Sequence, residues 1–186
     1  MKKIILFASG SGSNAEKIIR HCQENKNIEV VRVYTNNPTA KVIDRAKNLH
    51  IPAEIFNRQD FNDGKLADKI LQDAPDLIVL AGFLWKFPET IIKNFPNKII
   101  NIHPALLPNY GGKGMYGMNV HQAVLDNNEI ETGITIHYVN ENYDEGAIIF
   151  QKSVNIEGCH TAEEIAEKIH VLEHQYFPEV IEKLLT

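Results

Sequence analysis

The stretch "KKIILFASGSGSNAEKIIRHC", residues 2–22, changes its periodicity twice. "KIILFA" is a continuous apolar run, "SGSGSN" is a glycine-rich turn, and "AEKIIRHCQEN" repeats its apolar positions at helical spacing. That is a strand, a loop and a helix. The same alternation continues. "IEVVRVYT" (28–35) is a strand closed by "NNP", and "AKVIDRAKNLH" (40–50) is a helix. "IPAEIF" (51–56) is a short strand, "GKLADKILQDA" (64–74) a helix and "DLIVLAG" (76–82) a wholly apolar strand. Strands without polar alternation are covered on both faces, and helices between them make parallel crossovers. The predicted fold is therefore doubly wound α/β, Rossmann-like, with helices on both faces of the sheet.

After "PETIIKNF" (88–95) and the strand "NKIIN" (97–101) the pattern changes. "TGITIHYV" (132–139) alternates and faces "AIIFQKSV" (147–154) across "NENYDEG", an antiparallel addition that makes the mostly parallel sheet mixed. "TAEEIAEKIHVLEHQYFPEVIEKLL" (161–185) reads as one long helix. The 186 residues suit a single domain, 1–186, with a first half (1–100) built around the glycine loop and a second (101–186) carrying the polar residues discussed below.

Composition narrows the function. An apolar fraction of 44% with ordinary charge reads as a folded globular chain, and a net charge of −5 argues against a general nucleic-acid binder. The basic-then-apolar start is too short for a signal peptide, and no stretch approaches a membrane span, so a cytoplasmic protein without a membrane partner is expected. Cys22 and Cys159 lack CxxC spacing and read as small buried or half-buried side chains. With no HExxH or similar spacing among the eight histidines, no metal site is expected.

"SGSGSNA" fits G-x-G-x-x-A through Gly10, Gly12 and Ala15. Glycines let backbone N–H groups of Gly12, Ser13 and Asn14 close on an anion at the positive end of a helix. A dinucleotide site needs an acidic residue after the second strand, where this chain has Thr35, Asn36 and Asn37. A single phosphate is the better match. The alternative is a tight turn in which Ser13 or Asn14 caps the helix.

"NIHPALLP", residues 101–108, places Asn101 and His103 at the carboxyl end of a strand, where open α/β sheets bind ligands. Two apart, they share a face if the strand continues through Ile102. Asp144, in the turn after the strand carrying Thr135 and His137, is a candidate partner that would raise the His103 pKa and hold it as imidazolium. His137 is expected to face solvent or fill a polar gap. An amide donor, an imidazole and a carboxylate suit attack of an amine on a carbonyl: the first two meet the oxyanion and the carboxylate receives the proton through His103 or a water. A covalent mechanism has less support, since there is no GxSxG elbow.

In order along the chain, "FASGSGSN", "APDLIVLAGF", "NIHPALLP", "GITIHYVNENYDEGAIIFQ" and "EHQYFPEVI" resemble the folate-dependent formyltransferases. The resemblance covers almost the whole chain, and within the family it is nearest to members that formylate glycinamide ribonucleotide. It implies transfer of the formyl group of 10-formyltetrahydrofolate to that amine in purine biosynthesis, with small molecules as partners; a homodimer stays open. It also implies that Asn101, His103 and Asp144 are catalytic, that Ser11, Gly12, Ser13 and Asn14 bind the substrate phosphate, and that Glu173 contacts the ribonucleotide. Leu84, Trp85, Lys86 and Phe87, with Val139, Asn140 and Asp144, would form the folate pocket largely through backbone groups. Two features depart from the family pattern. "NYGGKGMYGMNVH" (109–121) replaces a short link, as a mobile flap offering Lys113 to an anion or as a solvated loop, and His170 stands where Gln is common. Other formyl-group enzymes, and a regulatory nucleotide-binding domain, are the rival readings.

Overall fold

The computed structural model describes residues 1–186. In chain order the elements are β1 (Lys2–Phe7), α1 (Ser13–Glu24), β2 (Ile28–Thr35), α2 (Val42–Asn48), β3 (Ala53–Ile55), α3 (Arg58–Asn62), α4 (Lys65–Asp73), β4 (Leu77–Leu80), α5 (Glu89–Asn94), β5 (Ile99–His103), α6 (Met118–Asp126), β6 (Glu131–Tyr138), β7 (Ile148–Asn155) and α7 (Ala162–Leu185). They build one seven-stranded sheet in the order β3-β2-β1-β4-β5-β6-β7. Pairing is parallel from β3 to β5 and antiparallel from β5 through β6 to β7. The expected doubly wound, mostly parallel mixed sheet is the fold.

Side-chain alternation along the central strands divides the core in two. Ile4 and Leu6 of β1, Leu77 and Val79 of β4, and Ile100 and Ile102 of β5 face one cluster with α1, α2 and α7. Ile5, Phe7, Ile78, Leu80 and Ile99 face the other, built from aromatic rings and the helices α4 and α5. The strands are apolar throughout because both faces are covered. α1 buries Ala15, Ile18, Ile19 and Cys22, the i, i+3, i+4, i+7 stripe that its sequence carries. α7 starts at a capping box, in which the Thr161 hydroxyl accepts from the Glu164 N–H and the Glu164 carboxylate accepts from the Thr161 N–H. It runs on through a buried Pro178.

Three helices lie outside the sequence expectation, one of them α5 within the unassigned "PETIIKNF". α3 is a five-residue turn started by the Asn57 side chain, which accepts from the Asp60 N–H. α6 begins at Met118, so the last four residues of the 109–121 glycine-rich segment are its first turn rather than loop. No helix is long and apolar enough to cross a membrane.

Candidate active site

On β5, Asn101 and His103 continue the side of the strand that Ile99 presents to the aromatic cluster, at the carboxyl end of the parallel strands. The antiparallel register sets His137 opposite Asn101 and Thr135 opposite His103, so two sequence-distant polar pairs share one face. The Asn101 amide nitrogen lies 3.2 Å from His137 Nε2. His137 Nδ1 faces the Tyr138 carbonyl at 2.9 Å and so carries a proton there, while Nε2 faces both the Asn101 amide nitrogen and an Asp144 oxygen. His137 is buried among polar partners, so of the two expected placements, facing solvent or filling a polar gap, it is the second that the structure has; β6 is an interior strand flanked by β5 and β7. Thr135 acts below it. Its hydroxyl donates to the Ala105 carbonyl (2.7 Å) and accepts from the Leu107 N–H (3.0 Å), fixing the segment that follows His103.

Asp144 arrives from the β6–β7 connection, with a left-handed φ of 55°. Its two oxygens lie 3.5 Å from His103 Nδ1 and 3.5 Å from His137 Nε2. The Gly112 N–H donates to it at 3.1 Å. Burial alone would raise the Asp144 pKa, but the neighbouring His137 and His103 rings and the Gly112 N–H outweigh it, and the carboxyl titrates below its ordinary value. His103 Nε2 donates to the Tyr110 carbonyl at 2.7 Å. Burial pushes the His103 pKa down, and this exceeds the upward pull of Asp144 and Tyr110. The expected resting imidazolium is therefore corrected. The ring is neutral at rest, with its proton on Nε2 and an open acceptor, Nδ1, facing the carboxylate.

The glycine loop lies beside this cluster. Gly12 precedes α1 with a φ of 72°, and a Cβ there would stand 2.4 Å from Val42 Cγ2, so the position admits only glycine. The Val42 N–H donates to the Gly10 carbonyl (3.2 Å) and Arg45 Nε to the Ser11 carbonyl (2.8 Å), which pins the loop to α2. No side chain caps α1. Neither Ser13 nor Asn14 plays the capping role, because the Asn14 amide instead donates 3.0 Å to the buried Glu173 carboxylate. The first-turn N–H groups thus stay open at the positive end of the helix. Burial raises the Glu173 pKa, against the pull of Asn14 and His170.

The third wall is the irregular backbone after β4. Phe87 packs among Phe7, Phe61 and Phe83, and the Trp85 ring is covered by the Arg58 guanidinium at 3.8 Å. Their side chains are structural. The Trp85, Lys86 and Asn140 N–H groups make no hydrogen bond within the chain, so this wall offers backbone donors. The Lys86 ammonium lies 5.5 Å from the Tyr143 ring and links the wall to the 139–144 turn. A cavity of about 640 Å³ joins all three parts. Asn101, His103 and Asp144, Ser11 to Asn14, Glu173, Leu84 to Phe87, and Val139 and Asn140 all line it, as do Lys113 and His170. The histidines missed as site members are His137 and His121, both of which also line it. The alternation of Thr135 with His137 was the available sign for the first. Cys22 is remote from this site, its thiol pushed up to about 12 by burial.

Residues 2–181 match the family model described as formyl transferase. The chain belongs to the formyl transferase family. It is 38% identical over 191 aligned residues to the phosphoribosylglycinamide formyltransferase of Bacillus subtilis, covering 100% of this chain and 95% of that protein. It is 39% identical to the chloroplastic enzyme of that name from Arabidopsis thaliana, over 97% of this chain; it spans only 64% of the plant protein's length. The crystal structure of glycinamide ribonucleotide transformylase 1 from Geobacillus kaustophilus superimposes with a TM-score of 0.91 at 33% identity, over 100% of both chains. As a formyltransferase, the chain is an enzyme of the transferase class.

Proposed function

We propose that this formyltransferase moves the formyl group of 10-formyltetrahydrofolate to the amine of glycinamide ribonucleotide, a step of purine biosynthesis. One observation carries the reading: the open N-terminus of α1, the backbone-lined wall at 84–87 and the Asn101–His103–His137–Asp144 cluster share a single cavity. Its size is within the range of about 300–1,000 Å³ usual for small-molecule sites. The open N–H groups at Ser11–Asn14 suit a phosphate, and Glu173 suits hydroxyl groups of the attached sugar. The unpaired backbone donors at Trp85, Lys86 and Asn140, with the 139–144 turn, fit the polar edge of a flat heterocycle such as that of a folate. Residues 1–100 would supply the phosphate loop, and residues 101–186 the reacting groups and much of the folate contact.

The geometry supports the following chemistry. A neutral amine attacks the formyl carbon, a C–N bond forms, and the carbonyl electrons move to oxygen. Asn101 has an amide N–H to donate to that oxyanion. The proton shed by the amine passes to His103 Nδ1, and the adjacent Asp144 carboxylate stabilises the imidazolium so formed. Collapse breaks the bond from the formyl carbon to the folate nitrogen, which takes up a proton. A resting neutral His103 beside an ionised Asp144 is the state this sequence needs.

The test is direct: purified protein with glycinamide ribonucleotide and 10-formyltetrahydrofolate, followed by the absorbance of the released folate. Turnover dependent on the ribonucleotide is expected. Release with water alone, or with a non-phosphorylated amine at equal rate, would refute the assignment.

A further inference from the structure

His121 lies on α6, which packs against α7, and it is 4% exposed. Its Nδ1 is buried without a hydrogen-bond partner. The residue also lines the site cavity. A buried side chain with an unpaired polar atom costs free energy that packing alone does not return, so an imidazole here calls for an explanation. The ring is pushed down to about 4 by burial, with smaller contributions from His170 and His103, so it is neutral at physiological pH. His170 stands on α7 one turn before Glu173, and His103 is on β5. All four residues line the same cavity.

The protonation pattern follows. A buried acceptor left unpaired is tolerated better than a buried N–H left unpaired. The single ring proton therefore belongs on Nε2, which is not among the buried unpartnered atoms and is the nitrogen left to face the cavity. Resting on the function proposed above, we infer that His121 is a substrate-positioning residue whose Nε2–H donates to a sugar oxygen of the phosphorylated amine, between its phosphate and its reacting nitrogen. A neutral donor fits that place. It orients the sugar without adding a cation that would compete for the phosphate or oppose proton transfer to His103.

The experiment compares His121→Phe, His121→Gln and His121→Asn in the two-substrate assay, with a thermal melt of each. Phe keeps an apolar ring and removes the donor. Gln places an amide N–H near the position of Nε2, and Asn places it near Nδ1. The expected result is a rise of about tenfold in KM for the ribonucleotide in the Phe and Asn variants, the loss of one neutral hydrogen bond. Gln should stay within about threefold of the parent, and kcat and the folate KM should change little in all three. Equal KM values for parent, Phe and Asn overturn the inference, as does a parallel loss against both substrates. If the Phe variant does not fold, the Gln and Asn pair decides alone. An unmodified protein that does not turn over the ribonucleotide defeats the function proposed above, whereas normal turnover with indifferent variants defeats only the role of His121.

Discussion

Replacing Asp144 with Asn keeps the side chain's shape and the acceptor for the Gly112 N–H while removing one negative charge from the proposed reaction centre. At the 3.5 Å separation from His103 Nδ1, a unit-charge pair in a medium of effective dielectric about 20 is worth about 5 kcal/mol. Asp144 retains some contact with the cavity, and hydration there takes back on the order of half of this. At about 1.4 kcal/mol per tenfold, kcat should fall about 10²-fold. KM for the ribonucleotide should stay within about threefold, because the carboxylate acts on the proton and not on the phosphate. The pH profile gives a second, independent reading. His103 must be neutral to accept the proton, and burial already sets its pKa below the ordinary 6.5, so the acid limb of kcat/KM in the parent should lie below that value. Asp144 is the largest influence raising the pKa of His103, so its loss lowers that pKa again and moves the residual acid limb to still lower pH. Stability should follow the carboxyl. Its folded pKa is depressed, so it stabilises the fold above its unfolded value and that contribution disappears as pH falls through the folded one. The parent should therefore melt above Asp144→Asn at pH 7, with the difference closing in acid. An acid limb that moves upward, or a kcat within threefold of the parent, would refute the proposed proton path.

Asn101→Ala removes the amide donor and should cost about 10²- to 10³-fold in kcat with a small change in either KM, measured in the same assay. Gly12→Ala forces a Cβ to 2.4 Å from Val42 at a φ of 72°. It should lose about 2–4 kcal/mol of stability by denaturant titration and raise KM for the ribonucleotide more than for folate, since the loop and not the wall is displaced. Phe7→Ala removes a fully buried ring packed 5.0–5.9 Å from Tyr34, Phe56, Phe83 and Phe87. A drop of about 3–5 kcal/mol is expected, seen as a lower urea midpoint at unchanged slope.

The parts of this fold that the sequence made legible are those governed by local periodicity. Continuous apolar runs such as Leu77–Leu80 mark strands covered on both faces, and the Ala15–Cys22 stripe marks a helix. α3 and α6 escaped because five residues carry too little periodic signal, and because the glycines before Met118 read as loop without showing where the loop ends. The residues around the cavity were legible as residue types at a strand end and in a glycine turn, and more fully through the family motifs. Their arrangement depends on two things that no local pattern encodes. One is register: the pairing of β5 with β6 decides that His137 meets Asn101. The other is desolvation. The charge of His103 depends on how much of the molecule surrounds it, and a neighbouring aspartate taken alone implies the wrong sign of the shift.

The Tyr110 carbonyl that holds the His103 ring and the Gly112 N–H that holds Asp144 come from a single short piece of backbone. That piece works as a splint: it spaces an acid and a base that no covalent proximity links, and it does so with groups every residue possesses. The spacing therefore depends on the path of the chain, which at Gly112 takes a φ of 93° that favours glycine, and is vulnerable to a change in length by even one residue. Insertions and deletions should be excluded from 104–112 and tolerated over 113–117, which makes the remainder of this loop a region where substrate preference can drift while the distance between acid and base stays fixed.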